Sequence, residues 1–219
     1  MKPTLPTFLF DLVLVPEHDR LLFKHNVFRI EGALAKGSSV APSASKGIIL
    51  LGGPSRHFTW QPEKLIEQID RILRRDKDIS WTIANSRRTP EIFSQLVETR
   101  LKRKVVYWSD VDNDWLENEL AQCGFTWVTP DSISMVYEAL TTQGRVGIFD
   151  MNPLGGGGKV SSSIERLVKA GRLGRSSLGS LLQQLETFEP LQESHRCAQH
   201  IIDTWFKKSK SRYVNRTTA

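Results

Sequence analysis

The amino-acid sequence predicts an α/β protein built on a doubly wound parallel sheet. Short apolar runs alternate along the chain with longer segments whose apolar residues recur at helical spacing. Strands are predicted at 47–52, 80–85, 104–108, 125–129 and 146–150. Helices are predicted at 62–75, 90–100, 114–122, 132–142, 162–171 and 193–207. Strands and helices that alternate in this way form parallel sheets, because each helix is the crossover between two strands.

Single elements support this pattern to different degrees. The helix at 62–75 has proline at its first position and an apolar face formed by Leu65, Ile66, Ile69, Ile72 and Leu73. Residues 8–15 are apolar and β-prone, which predicts a strand ahead of the main sheet. Residues 31–46 are rich in Gly, Ala and Ser and are predicted to form a linker.

Composition excludes several classes of protein. Of the 219 residues 39% are hydrophobic and 25% charged, as in globular domains. No apolar run approaches the ~20 residues that span a bilayer, and the N-terminal residues lack a secretory signal. Cys123 and Cys197 lie far apart in sequence, which indicates neither a disulfide framework nor a zinc site. We therefore expect a cytoplasmic location, with peripheral contact to a membrane as the alternative.

Positive charge is concentrated at the C-terminus. The formal net charge is +6, and five of these charges come from Lys207, Lys208, Lys210, Arg212 and Arg216. The rest of the chain is thus nearly neutral. A solvated basic tail is one interpretation, and attraction to an acidic membrane is the other. No motif with base-reading spacing is present, so we expect no nucleic-acid partner.

A glycine turn follows the first strand of the predicted sheet. Gly52 and Gly53 come directly after a buried apolar run, and Ser55 and Arg56 follow them. Such a turn can be ordinary tight packing. It can also bind phosphate, because glycine lets the backbone approach the ligand, and hydroxyl and guanidinium groups donate to its oxygens. Since no Gly-Lys-Ser/Thr follows, this is not a Walker loop.

Two further polar loops follow predicted strands, and the carboxyl ends of parallel strands form the ligand-binding edge of such a sheet. In the first loop, Ser86, Arg87 and Arg88 precede Thr89, which has the position of a helix cap. An arginine at this edge can grip a phosphate, or it can simply be solvated.

The second of these loops opens the predicted helix at 132–142. Asp131 or Ser132 can cap this helix, Ser134 lies in its first turn, and Glu138 lies within it. Glu138 is either an exposed helix glutamate or a carboxylate that accepts hydrogen bonds from a ribose diol.

A glycine run at 155–158 precedes Lys159 and the serines at 161–163, which are predicted helix caps. The run is either a mobile loop or a loop that closes over phosphates. His18 lies between two acidic residues, but no second histidine lies one helical turn away, so no metal site is predicted.

In this order, the motifs resemble the mitochondrial fission ELM family, whose bacterial members have often been labelled nucleoside-diphosphate-sugar epimerases. The resemblance extends from about residue 8 to about residue 170. The motifs that carry it are Phe10-Asp11-Leu12-Val13, Pro16-Glu17-His18-Asp19, Gly32-Ala33-Leu34, Leu51-Gly52-Gly53-Pro54-Ser55, Ser86-Arg87-Arg88-Thr89-Pro90 and Thr129-Pro130-Asp131-Ser132-Ile133-Ser134-Met135.

That family is similar to the GT-B glycosyltransferases, which implies a Rossmann-like domain that binds a nucleoside-diphosphate sugar as donor substrate, with no further cofactor. The resemblance implies that Gly52, Gly53 and Ser55 lie near the diphosphate. It places Glu138 at the ribose and the stretch before Lys159 near the donor sugar. The nucleotide-binding residues predicted from the loops and the resemblance are Gly52, Gly53, Ser55, Arg56, Ser86, Arg87, Arg88, Asp131, Ser132, Ser134, Glu138 and Lys159.

The same resemblance predicts the domain organisation. Residues 1–46 are expected to be a remnant of an N-terminal domain with its linker, 47–208 the Rossmann-like nucleotide-sugar-binding domain, and 209–219 a disordered basic tail. In a GT-B enzyme the reaction takes place in the cleft between two domains. This chain is therefore expected to be inactive or incomplete alone, and no catalytic residue is identified. Its open N-terminal strand would then pair with a second copy or with a completing N-terminal domain.

Two other functions are compatible with the sequence. One is a non-catalytic interaction module at a membrane surface or on a protein partner, for which Trp205, Phe206 and the basic tail are suited. The other is a nicotinamide-dependent epimerase. The sequence disfavours it, since Gly-x-Gly-x-x-Gly is missing and Tyr137 is followed four residues later by Thr141 rather than lysine.

Overall fold

A computed structural model describes residues 5–17, 25–32, 34–35, 37–38, 40–156, 158–177, 182, 185 and 188–207. The described residues form two compact units. One unit is drawn from residues 1–37 and 192–219, and the other from residues 38–191. The predicted tail at 209–219, together with His18 and Gly157, lies outside the described residues.

Within the described residues the strands are Val13–Pro16 (β1), Val27–Ile30 (β2), Ser43–Leu50 (β3), Ser80–Ala84 (β4), Val105–Val106 (β5), Cys123–Val128 (β6), Arg145–Ile148 (β7) and Gly174–Arg175 (β8). The helices are Pro62–Arg75 (α1), Glu91–Leu101 (α2), Trp115–Gln122 (α3), Ile133–Ala139 (α4), Lys159–Lys169 (α5) and Glu193–Ile201 (α6).

The larger unit contains a six-stranded parallel sheet with the order β5-β4-β3-β6-β7-β8. From β3 the chain moves outward to β4 and β5, then returns to the other side of β3 and continues outward from β6. This is the strand order of a Rossmann-like fold, whose switch point lies between the first and fourth strands, here β3 and β6. The α/β fold class and the parallel, doubly wound sheet predicted from the sequence are therefore confirmed.

Apolar side chains fill both faces of this sheet. On β3, Ile49 belongs to the cluster that contains Leu65 of α1 and Phe93 of α2, whereas its neighbour Ile48 is buried outside that cluster. Successive residues of a strand point to opposite faces. Both faces are thus covered, which explains why residues 48–51, at the end of β3, form a continuous apolar run rather than an alternating one.

The smaller unit contains a parallel pair of strands and the C-terminal helix. β1 pairs with β2, from Val13 opposite Val27 to Pro16 opposite Ile30. The ring of Phe28 stacks on His200 of α6 at 4.3 Å. Stacking and strand pairing together organise this unit around β2.

Most predicted elements of the larger unit are confirmed. α1 has the predicted bounds, and its first residue is Pro62. α4 ends at Ala139, three residues before the prediction, where the hydroxyls of Thr141 and Thr142 donate to the carbonyls of Glu138 and Ala139. Such side-chain bonds compete with continuation of a helix.

Other element predictions are wrong in part. The predicted strand at 8–15 is a 3₁₀ turn, Thr7–Leu9, followed by β1. The amide of Asn26 holds this turn by donating to the carbonyls of Thr7 and Phe10. Residues 43–46 of the predicted linker belong to β3, and β2 and β8 were not predicted.

The beginning and end of two helices also differ from prediction. α5 begins at Lys159, so Ser161 is not its cap and instead donates to the carbonyl of Gly158. α6 ends at Ile201 and continues as the π-helical segment Ile202–Lys207. In the part of the chain that the structure describes, no helix has both the length and the apolar character to cross a bilayer.

Candidate functional site

Three of the predicted loops meet at the switch point between β3 and β6. The chain leaves β3 through Leu51 and Gly52, and it leaves β6 through Thr129. The N–H of Gly52 donates to the hydroxyl of Thr129 at 2.7 Å, and the N–H of Gly53 donates to Asp131 Oδ2 at 3.0 Å. The sequence places these partners nearly eighty residues apart, and the strand order brings them together.

The close approach of the neighbouring loops explains why positions 52 and 53 are both glycine. A Cβ on Gly52 would lie 2.3 Å from the carboxylate oxygens of Asp131, and a Cβ on Gly53 would lie 1.9 Å from the carbonyl oxygen of Arg88. Either contact is shorter than side chains tolerate. The two N–H groups expected to face a phosphate are engaged by Thr129 and Asp131 in this structure.

Asp131 is the buried centre of this arrangement. Its side chain is 0% exposed, and Oδ2 also accepts a hydrogen bond from Arg88 Nη2 at 2.9 Å. Burial raises the pKa of the Asp131 carboxyl, whereas the Thr129 hydroxyl, the Gly53 N–H and the Arg88 charge act in the opposite direction. Asp131 Oδ1 is buried without a hydrogen-bond partner among the described residues.

Thr89 ties the second loop to the first. Its hydroxyl lies 2.8 Å from the carbonyl oxygen of Leu51 and 2.6 Å from that of Gly52, and it accepts a bond from the N–H of Ser86. The cap position of α2 is held by Pro90, so the prediction of Thr89 as the helix cap is wrong. The hydroxyl of Thr89 is instead engaged by the glycine turn, where Thr89 is buried.

Positive charge surrounds the turn. Arg56 and Arg88 are exposed, and His57 between the two loops is half-buried. Burial lowers the pKa of His57, and the charges of Arg56 and Arg88 lower it further. Ser55 shapes this segment by accepting bonds from the N–H groups of His57 and Phe58. Two exposed guanidinium groups, those of Arg56 and Arg88, therefore lie close to the turn, where an anion could meet them.

The glycine-run segment approaches the same loop. The N–H of Thr59 donates to the carbonyl of Asn152 at 2.8 Å, and the N–H of Leu154 donates to the carbonyl of His57 at 2.9 Å. Gly155 follows with a φ of 65°. Lys159 is exposed at the start of α5. The loop after β7 thus lies beside the loop after β3.

A cavity of about 410 Å³ lies at the same edge of the sheet. Its floor is formed by the ends of three adjacent strands, at Leu50, Ala84 and Val106. Trp108 is 49% exposed at the rim, and the guanidinium of Arg87 lies 5.6 Å from the centre of its ring. The other residues that line it are Asn85, Ser86, Ser109, Val111, Asp112, Asn113, Trp115, Leu116 and Met135.

Helix α4 contributes the remaining predicted residues. Ser132 occupies the cap position without a capping bond, and its hydroxyl lies 3.3 Å from that of Ser134. Glu138 is half-buried, so the interpretation of an exposed helix glutamate is wrong. Burial raises the pKa of Glu138, whose carboxylate has no partner among the described residues. Met135 of the cavity lies one turn away, on the same side of α4.

The structure brings the predicted residues together in two groups. Gly52, Gly53, Arg88 and Asp131 are in direct contact, and Ser86 and Arg87 line the cavity. Trp108 was not predicted as a site residue. The signal that could have found it is a tryptophan at the last position of the predicted strand 104–108, followed by a polar run.

This chain is similar in sequence to a family of known proteins and to a bacterial protein. The family described as Mitochondrial fission ELM1 matches residues 1–205. An uncharacterized protein of Rickettsia prowazekii (strain Madrid E) is 24% identical over 266 aligned positions, which cover 96% of this chain and 73% of that protein. The family match confirms the resemblance carried by the loop motifs.

Proposed function

The chain belongs to the mitochondrial fission ELM1 family, and we propose that it binds a nucleoside diphosphate, in the form of a nucleotide sugar, at the carboxyl edge of its sheet. One observation carries this proposal. Arg88 packs against Gly53 at the switch point of the sheet, the exposed Arg56 follows on the same loop as Gly53, and a cavity of about 410 Å³ lies on the same edge. Ligands of doubly wound sheets bind at this point.

The diphosphate is bound by side chains more than by backbone. Arg88 donates one hydrogen bond to Asp131, and its other donors have no partner among the described residues. Arg56 lies on the neighbouring loop and is also exposed. A guanidinium offers two parallel N–H groups to a phosphate, which makes arginine well suited to this role.

The nucleoside occupies the cavity. Its volume lies within the range of about 300–1,000 Å³ typical of small-molecule sites. The indole of Trp108 provides a flat surface for a base, and Arg87 above it adds a cation–π contact. Ser134 and Glu138 lie one helical turn apart on α4, and Glu138 accepts hydrogen bonds from the ribose hydroxyls.

Glycosyl transfer is the chemistry of this site in a protein that also carries an acceptor-binding domain, as in a GT-B glycosyltransferase. Positive side chains, including Lys159 in the segment near the donor sugar, stabilise the leaving diphosphate. No cofactor beyond the nucleotide sugar is required.

A thermal-shift screen with UDP, GDP, ADP and CMP and their sugar conjugates tests the proposal. A ligand that binds only the folded protein raises the unfolding midpoint. We expect a shift with one nucleotide, abolished in Glu138→Ala and retained in Glu67→Ala, whose glutamate is exposed on α1. The absence of a shift with every nucleotide, in folded protein, would contradict the proposal.

A second function is favoured by a separate observation in the smaller unit. Ile202, Trp205 and Phe206 are 43%, 40% and 63% exposed in the segment after α6. In sequence the five basic residues from Lys207 to Arg216 follow directly. Exposed aromatic side chains beside positive charge suit peripheral contact with an anionic membrane surface.

Sedimentation with lipid vesicles tests this second function. We expect the protein to bind vesicles that contain phosphatidylglycerol, to bind less as salt is raised, and to leave neutral phosphatidylcholine vesicles unbound. Binding should fall in Trp205→Ala and be unchanged in Trp108→Ala, which lies in the other unit. Equal binding to both kinds of vesicle, or none to either, would contradict a charge-driven membrane contact.

A further inference from the structure

We infer that Asp131 is the positioning residue of the anion site: its buried carboxylate fixes the Arg88 guanidinium against the Gly52–Gly53 turn, so that Arg88 meets the diphosphate in a defined orientation. This inference rests on the proposed function, because it concerns how the same site holds its ligand. It also changes the role of Asp131, which was predicted to contact the nucleotide.

Burial separates Asp131 from any ligand. Its side chain is 0% exposed, whereas the Arg88 side chain is 45% exposed. Oδ2 accepts bonds from Gly53 N at 3.0 Å and Arg88 Nη2 at 2.9 Å. Of this pair only Arg88 can therefore touch a ligand from solvent, and Asp131 acts on the ligand through it.

The backbone of Arg88 is also held in place, by its packing against Gly53. The carbonyl oxygen of Arg88 lies so close to Gly53 that a Cβ there would be 1.9 Å away. One residue later, the Thr89 hydroxyl lies within hydrogen-bond distance of the carbonyl oxygens of Leu51 and Gly52, at 2.8 and 2.6 Å. Both the backbone and the guanidinium of Arg88 are thus held against one turn. An arginine held in this way loses less conformational entropy on binding than a free one.

Because Asp131 is negatively charged, its two possible effects on anion binding can be told apart by whether a substitution tightens or weakens binding. A carboxylate near a diphosphate repels it, so a variant that only loses this charge binds the anion more tightly. A variant that loses the orientation of Arg88 binds it more weakly. Asp131→Asn removes the charge and weakens the bond to Arg88 while keeping nearly the same shape, and the two effects have opposite signs.

Calorimetric titration with inorganic pyrophosphate measures whether each variant binds the anion more tightly or more weakly than the wild type. We expect Asp131→Asn to weaken binding roughly tenfold, and Arg88→Gln to weaken it at least as much. The double variant should be no weaker than Arg88→Gln, since Asp131 acts through Arg88. Arg103→Gln makes the same charge change at the opposite, amino edge of the sheet, before β5, and should bind as the wild type does.

Arg88→Lys provides a second test, because its side chain is half exposed and the substitution keeps the charge. We expect it to lose most of the affinity that Arg88→Gln loses. Wild-type affinity in Arg88→Lys, or equal or tighter binding by Asp131→Asn, would overturn the positioning role and leave the proposed function intact. A wild-type protein that binds neither pyrophosphate nor any nucleoside diphosphate would overturn both.

Discussion

The side-chain carbonyl of Asn85 accepts a hydrogen bond from the backbone N–H of Trp108 at 2.8 Å. This bond joins the loop after β4 to the loop after β5. The Asn85 amide donates in turn to the hydroxyl of Ser94 on α2 at 3.1 Å. Trp108 therefore stands at the rim of the cavity on a braced loop, although its indole is 49% exposed.

Replacement of Trp108 by alanine should reduce nucleotide affinity by about tenfold or more, because base–aromatic stacking contributes about 1–3 kcal/mol per base. The unfolding midpoint should change little, since half of the indole is already exposed. Titration calorimetry with the nucleotide that gives the largest thermal shift measures the affinity.

Trp205→Ala is the matched control, because Trp205 is 40% exposed and belongs to the other unit. It should bind the nucleotide as tightly as the wild type does. Equal affinity of Trp108→Ala and the wild type would show that the base does not stack on this tryptophan.

Alanine at Gly53 should destabilise the protein by about 1–3 kcal/mol, the usual cost of forcing extra atoms into a packed region. Its Cβ would lie 1.9 Å from the carbonyl oxygen of Arg88, so one of the two loops must move. Gly158→Ala is the control, because no atom lies within 4 Å of the Cβ position and φ there is −97°. Denaturant unfolding compares the two, and equal stability would refute the close approach of the loops.

Much of the fold could be predicted because it depends on local patterns. α1 was predicted with its observed bounds, since proline at its start and a periodic apolar face are both local signals. β8 has only two residues and owes its place to pairing with β7. The strand predicted at 8–15 is wrong in its first part, because Asn26 holds residues 7–10 in a turn, whereas residues 13–15 belong to β1.

The candidate site was predictable as a set of loops but not as a set of contacts. Each loop follows a strand, and that position could be read from the sequence. The hydrogen bond from the Gly53 N–H to Asp131 joins two segments 78 residues apart, which only the strand order brings together. Trp108 could not be predicted as a site residue from its own segment, because its position depends on the neighbouring loop that contains Asn85.

Glutamine at position 138 should stabilise the unliganded protein at neutral pH. Burial raises the pKa of the Glu138 carboxyl in the folded state above its value in the unfolded chain, so ionisation destabilises the folded state. Below the unfolded-state pKa both states are protonated and the penalty is absent. The penalty grows as pH rises from the unfolded-state pKa to the folded-state pKa, because only the unfolded state is then ionised, and it is complete above the folded-state pKa.

The difference in unfolding midpoint between Glu138→Gln and the wild type should therefore grow as pH is raised from about 4 to about 7. Glu67→Gln, at an exposed position of α1, should show no such growth. A constant or shrinking difference for Glu138→Gln would contradict the burial of an unpaired carboxylate.

A ¹H–¹⁵N TROSY titration of the protein with UDP, GDP, ADP and CMP in turn is the sharpest test of the proposed nucleotide site, because it reports where a nucleotide binds as well as whether it binds. We expect one nucleotide to shift the backbone signals of Gly53 and Arg88 and the indole signal of Trp108 in a saturable manner. Signals at the amino edge of the sheet, such as that of Ser80, should not move. If no nucleotide produces shifts, or if the shifts lie away from the carboxyl edge, the proposed nucleotide site is wrong.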